Sequence, residues 1–400
     1  MREIIFILFL LSGTLKPFFI YFHIPMGIDF TVLCALLLII LLGRDIAANK
    51  FVININQFSK YAMTTLFFLF ATILFSLFYT SSQSYVYSKI LQFITILLAF
   101  TFPILSREFS VTKALKFFLY LAIITTIVFL PIFMNGYKLF LTDYAHFIRT
   151  PIALIYQSYL PIGYMIGIAI LINMFFPFFS PTRKFLVTLF LLAALVTAGA
   201  RGPLFSVITL LLMYAIIKKF NFKIPRWSTV LLSLLLVIPI GIYSLSKVNL
   251  EDLLTRTYTR IVTIQNEPSA NDRLVRTKFV FDHIDAEHFT LGYGFGSFGF
   301  EYSKVDERSY PHNLLLELLF ELGIVGLTIY LLFLWPIMRK LIISKSFVLW
   351  ALFLYVFVNS LKSLSLSDSR ILFGFLALIL IYTPKLMPKP TIKEEKQKND

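Results

Sequence analysis

Cysteine is nearly absent. Cys34 is the only one in 400 residues, and it lies in an apolar run. No disulfide scaffold and no cysteine-based metal site can be built from it. Charge is scarce as well: Asp, Glu, Lys and Arg make 14% of the chain, against about 25% in an ordinary soluble domain. Acidic residues are the scarcer sign, 21 against 36 Lys and Arg. No internal repeat is found, which weakens a reading as an inverted-repeat transporter. What is present in excess is apolar. The chain is 58% hydrophobic and carries 45 Phe and 20 Tyr, too many to hide inside a water-soluble globule of this size. Soluble enzyme, disordered protein and fibre are excluded, and an all-α polytopic membrane protein remains.

Apolar runs long enough, or nearly so, to cross a ~30 Å hydrocarbon core recur along the chain. They lie at 4–22, 28–43, 61–80, 86–105, 115–134, 151–176, 184–199, 202–218, 229–246, 313–338, 346–362 and 370–384, about twelve spans. The first lacks a signal-peptide cleavage site and is interrupted by Lys16-Pro17, so it is kept as a span with Lys16 snorkelling outward. With the N-terminus inside, the inner segments hold 21 Lys and Arg. The short outer connections hold only Lys89, Lys138, Arg149, Arg201, Lys362 and Arg370. This bias puts both termini on the cytoplasmic side. The +15 net charge is therefore mostly topological, and it points to the lipid bilayer as partner and not to nucleic acid. The chain divides into spans 1–9 (1–246), an outer loop (247–312), spans 10–12 (313–384) and a charged tail (385–400).

The loop is unlike every other connection, with 8 Lys or Arg and 10 Asp or Glu. Glu251–Gln265 is amphipathic at helical spacing, and a second helix is predicted from about Ser269–Asn271 to Ile284. A Gly292-x-Gly294-x-Gly296 turn follows. Its context is not that of a dinucleotide fingerprint. The aromatics around it (Tyr293, Phe295, Phe298, Phe300, Tyr302) suit either sugar stacking or the bilayer interface.

All five histidines fall on the outer side in this topology, so chemistry is expected at the outer leaflet. Nucleotide cofactors are not available there, and a lipid-pyrophosphate donor would carry its own leaving group. His312 stands at the start of the tenth span, after Pro311 and before Asn313, a plausible helix N-cap. An imidazole there could act as a general base, or merely cap and pack. Glu317 and Glu321 follow one turn apart, and carboxylates in a span need partners, either as interhelical glue or to orient the base. Arg201 sits in the tight Ala198–Pro203 turn between two apolar runs of about 15 residues, roughly 23 Å of helix. A submerged arginine at a helix N-terminus suits phosphate, or an ordinary lipid headgroup. Arg273 and Arg276, one turn apart, are either a solvated basic face or a second anion site. No Asp-x-Asp pair accompanies Asp29 in the first outer loop, and no His/Asp cluster has metal-ligand spacing. A metal-dependent reaction is disfavoured.

Gly292-Tyr-Gly-Phe-Gly-Ser-Phe298, Tyr310-Pro-His-Asn-Leu-Leu-Leu-Glu317 and Glu321-Leu-Gly-Ile-Val-Gly326 together resemble the O-antigen ligase and O-antigen polymerase family. The turn bearing Arg201 and the Asn-Asp-Arg273 opening of the loop helix match as well, so the motifs cover about residues 196–330. The resemblance implies a twelve-span glycosyltransferase of the bacterial inner membrane, with its site under the periplasmic loop and no metal or cofactor. It implies that Arg201 and Arg273 hold the pyrophosphate of an undecaprenyl-linked glycan and that His312 deprotonates the acceptor hydroxyl. Inversion at the anomeric carbon would release undecaprenyl pyrophosphate. Arg276 has no secure counterpart in the family and its role stays open; with Asn313, Glu317 and Tyr310 it is a candidate supporting residue. The compact loop speaks against the relatives that glycosylate proteins, and the ligase, whose acceptor is the lipid A core, is preferred to a polymerase that joins lipid-linked repeats. A transporter for lipid-linked sugars is the alternative of another class. It would place polar groups near mid-membrane in broken helices.

Overall fold

A chain in hydrocarbon must satisfy every backbone group internally, which is why long apolar runs become helices. The computed structural model describes residues 1–25, 27–48, 55–218, 268–344 and 346–382, and the regular structure there is helical without strands. The first half contains α1 (Arg2–Tyr21), α2 (Phe30–Ala48), α3 (Gln57–Phe75), α4 (Tyr85–Leu105) and α5 (Val111–Thr142). Short α6 (Tyr144–Phe147) and α7 (Pro151–Gln157) lead to α8 (Tyr159–Phe175), α9 (Pro181–Ala198) and α10 (Arg201–Lys218). The second half contains α11 (Pro268–His283), α12 (His288–Leu291), α13 (Phe298–Ser303), α14 (Leu314–Ser344), α15 (Phe347–Ser363) and α16 (Arg370–Ile381).

Eleven of the twelve expected runs coincide with helices. The ninth, 229–246, lies outside the described residues, as do the amphipathic segment Glu251–Gln265 and the tail 385–400. Among the described residues seven helices are long and apolar enough to cross a membrane on their own, and the pair α7–α8, bent by 49°, makes up to eight. The apolar helices over Arg201–Tyr214, Phe347–Lys362 and Arg370–Ile381 are shorter. The loop helix α11 starts one to three residues before its expected start and ends one residue before its expected end.

Lipid tails are as apolar as the helix surfaces, so packing and polar contacts have to select the neighbours. α14 lies along α3, α16 against α4, α8 against α9, and α10 against α15. Between α8 and α15, the Tyr355 ring sits where a Cβ on Gly167 would stand, 1.9 Å from the phenol oxygen, and its hydroxyl donates to Tyr164 O at 3.2 Å. Polar contacts gather at both ends of the bundle. At one end Arg2 Nη2 meets Asp45 Oδ1 at 2.6 Å, Arg107 N donates to Asp45 Oδ2 and Ser110 N to Glu3 Oε1. At the other, Lys16 Nζ meets Asp29 Oδ2 at 2.6 Å. The charges assigned to one side from sequence, Arg2 and Arg107, thus share an end.

Candidate functional site

The site is framed by a helix that breaks. α14 is interrupted at Gly323, whose backbone (φ 62°, ψ −166°) leaves helical space. The break exposes carbonyls that would be orphaned in a buried helix. The glycine-rich loop answers them: Tyr293 N donates to Phe320 O and Gly294 N to Glu321 O, both at 2.9 Å. This requires the loop to lie directly on the helix. A Cβ at Gly292 would stand 2.5 Å from the Glu321 carbonyl carbon, and all three loop glycines have positive φ. The glycines therefore serve backbone pairing.

The loop aromatics correct one expectation. Phe295 and Phe298 are fully buried and reach neither sugar nor bilayer surface. Phe298 packs with Phe279, Tyr302 and Phe320, which fastens α11 and α13 onto α14. Phe295 lies edge-on to Phe93 and beneath Lys89 Nζ, 4.7 Å away. The connection between α3 and α4 is clamped to the loop by Asp306. Its carboxylate accepts from Ser82 Oγ at 2.7 Å, Ser84 N at 2.6 Å and Gln83 N at 2.9 Å. Burial alone would raise the Asp306 pKa, but these donors outweigh it and hold the carboxyl far below the usual range.

Lys89 is the second correction. It counts among outer-connection charges by sequence, yet it is wholly buried inside α4. Its Nζ lies 2.6 Å from Glu317 Oε1 and 2.6 Å from Glu321 Oε2. The remaining Glu317 valences are filled by Ser365 Oγ at 2.7 Å and Leu366 N at 2.8 Å. The partners that two carboxylates in a span require are thus Lys89 and the turn Leu366–Asp368, and Glu317 and Glu321 are interhelical glue.

His312 lies just above this cluster and is built differently. Asn313 Oδ1 accepts from Leu315 N and Leu316 N at 3.0 and 3.2 Å, the N-cap expected from sequence. His312 itself has φ 57°, a left-handed conformation uncommon for a residue with a side chain. Its ring stands edge-on to Tyr310, centroids 4.5 Å apart, and Nε2 is 3.9 Å from Asp272 Oδ2. Arg276 organises the surroundings. It donates from Nε to Asp272 Oδ2 at 2.8 Å, from Nη1 to Ser309 Oγ at 2.5 Å and to Tyr310 O at 3.3 Å, and covers the Tyr302 ring. Half-burial, then the charges of Arg273 and Arg276, push the His312 pKa below its usual value, against a smaller opposing pull from Asp272 and Glu317. The imidazole is therefore neutral at neutral pH and free to accept a proton. Tyr310 is pushed up to about 12, by burial first and then by the Asp368 charge.

Arg201 opens α10, immediately after Gly199 closes α9 in a left-handed conformation. Both helices have 18 residues, about 27 Å, still short of a ~30 Å hydrocarbon core, and the apolar part of α10, Arg201–Tyr214, is shorter again. Pro203 of the same turn lines a cavity of about 570 Å³ together with Arg308, Tyr310 and Asp368. The cavity thus brings the Arg201 turn and the His312 segment to a common space. Arg273 is exposed on α11, and its charge reaches both Tyr310 and His312.

Sequence reasoning did not single out Asp272, Arg308 or Asp368. Asp272 stands beside Arg273 in the Asn-Asp-Arg opening and could have been read from that motif. Arg308 pairs with Asp368 at 2.5 Å across a long stretch of chain, which no local spacing signals. Among the described residues no group of three His, Cys, Asp or Glu side chains could hold a metal ion. No curated protein matches the chain. The resemblance read from the motifs is matched by a family model: residues 186–331, which contain Arg201, Arg273, Asp272 and the whole His312–Glu321 stretch, match the family described as O-Antigen ligase.

Proposed function

We propose that this chain is a metal-independent, inverting glycosyltransferase that moves a glycan from undecaprenyl pyrophosphate to a hydroxyl of the lipid A core. The observation that carries the reading is His312, neutral, held in a left-handed backbone and flanked by Arg273 and Arg276. In this reading the acceptor hydroxyl gives its proton to the His312 imidazole as the oxygen attacks the anomeric carbon. The bond from that carbon to the pyrophosphate oxygen breaks on the opposite face, and undecaprenyl pyrophosphate leaves with the electron pair. Arg201 and Arg273 hold the pyrophosphate and stabilise the charge that develops on it. Arg276 fixes Tyr310 and Asp272 around the base. Twelve spans, cytoplasmic termini and a periplasmic site in the inner membrane complete the reading.

The test uses purified protein, an undecaprenyl-pyrophosphate glycan and lipid A core. Transfer with inverted anomeric configuration, unaffected by chelator, is expected. Retention of configuration, or loss of transfer on chelation, would overturn the mechanism. Polymerisation of lipid-linked repeats is the second reading, favoured only by the shared family motifs. In cells, deletion leaving lipid-linked polymer and bare core identifies the ligase, whereas one repeat per core identifies the polymerase.

A further inference from the structure

The cavity beside Tyr310 contains a charge that the chain itself leaves unanswered. It lies where α7 and α8 bend apart, against α1, α10, α15 and α16. Two arginines line it. Arg308 is neutralised by Asp368 at 2.5 Å. Arg370, the first residue of α16, is not: its Nε is buried and finds no hydrogen-bond partner among the described residues. The two carboxylates whose charges reach it are engaged elsewhere, Asp29 with Lys16 at 2.6 Å and Asp368 with Arg308. Phe9 lies under the guanidinium at 4.9 Å, and a Cβ on Gly13 would stand 3.4 Å from its Nη2. A ring face offsets part of the cost of desolvating the cation but satisfies none of its N–H groups. An arginine kept this way inside a helical bundle marks a ligand site more often than a structural one. The missing partner is an anion with several acceptor oxygens, which the planar donor fork and the start of α16 both favour. Gln157, Tyr159 and Asn359 supply neutral hydrogen-bonding groups around it.

We propose that Arg370 binds a phosphate-class oxyanion of a membrane lipid in this cavity, in addition to the roles given to Arg201 and Arg273. The oxyanion could be brought by an isoprenoid pyrophosphate or by an ordinary phospholipid. The test therefore titrates two probes, undecaprenyl pyrophosphate without glycan and phosphatidylglycerol, onto the full chain in detergent. Affinity and the ligand-induced rise in Tm are both read. Binding requires no transfer, so failure here leaves the proposed reaction standing, and failure of the reaction leaves this site standing. Arg370→Met is expected to weaken one of the two lipids at least about tenfold, the low end for charged hydrogen bonds, and to cancel its Tm gain. The lipid-free variant is expected to melt no lower than wild type, because a partly buried charge without a hydrogen-bonding partner has been removed. Arg370→Lys recovers part of the affinity. Loss confined to the pyrophosphate assigns the site to substrate, and loss confined to phosphatidylglycerol assigns it to a resident lipid. Unchanged affinity for both lipids overturns the proposal. So does a lipid-free Arg370→Met protein that melts well below wild type, which would make the arginine a packing residue.

Discussion

Two charged clusters are built around His312 and around Glu317 and Glu321, which fall within nine residues of each other, and they differ in almost every physical respect. Lys89, Glu317 and Glu321 are dry, at 1% exposure or less, and their contacts lie at 2.6–2.8 Å. His312, Asp272 and Arg276 are only partly buried, and the His312–Asp272 contact is loose at 3.9 Å. A saturated cluster has nothing left to offer a substrate. The open one keeps an imidazole lone pair and the charge of Arg273. Charge in a membrane helix is thus not by itself a sign of chemistry: what distinguishes the two clusters is whether the protein has already used the hydrogen-bonding capacity.

The comparison can be broken most severely on the dry side. Lys89→Met leaves two uncompensated carboxylates and should cost about 3–5 kcal/mol of stability, read as a fall in Tm. The triple variant Lys89→Met, Glu317→Gln, Glu321→Gln should recover most of that loss. A Lys89→Met protein as stable as wild type would remove the structural role. Next in size is the break in α14 just beyond the dry cluster. Gly323→Ala forces a side chain into a left-handed backbone with its Cβ 2.2 Å from Thr290 O. It should cost about 1–3 kcal/mol and loosen the loop, measurable as faster amide exchange at Tyr293 and Gly294. On the open side, Arg273→Ala should weaken donor use by about 1.5 kcal/mol at an unchanged Tm, since the side chain is exposed; kcat/KM checks this. The smallest effect is on pH. The base works only when neutral, so transfer should be flat above the His312 pKa and fall as pH drops through it. Arg276→Gln removes a charge that lowers that pKa and frees Asp272, which raises it. The acid limb should therefore move to higher pH, and a limb that moved lower would contradict the assigned electrostatics.

The wet cluster was largely legible in the sequence and the dry one only by half. Pro311, His312 and Asn313 announce a capped helix start, and the cap forms as expected because it depends on neighbours two and three residues away. Glu317 and Glu321 announce a need for partners, but Lys89 reads as a flanking charge near the end of a span. Only the packing of α14 against the first helices shows it turned inward. Gly323 gives no warning either. In an apolar run it reads as a tolerated glycine, and its break is visible only with the Gly292–Gly296 loop seated on the exposed carbonyls. Arg308 and Arg370 belong to outer segments by hydropathy, and the cavity they line lies beside the α7–α8 bend, within a run that reads as one span.

The division of labour is tested most directly by single-turnover transfer in His312→Asn. Asparagine tolerates the left-handed backbone at this position and cannot act as the base. The expected result is a transfer rate lower by about 10²–10⁴-fold, with donor affinity and Tm equal to wild type. Transfer at the wild-type rate would contradict the account, because the open cluster would then contain no base.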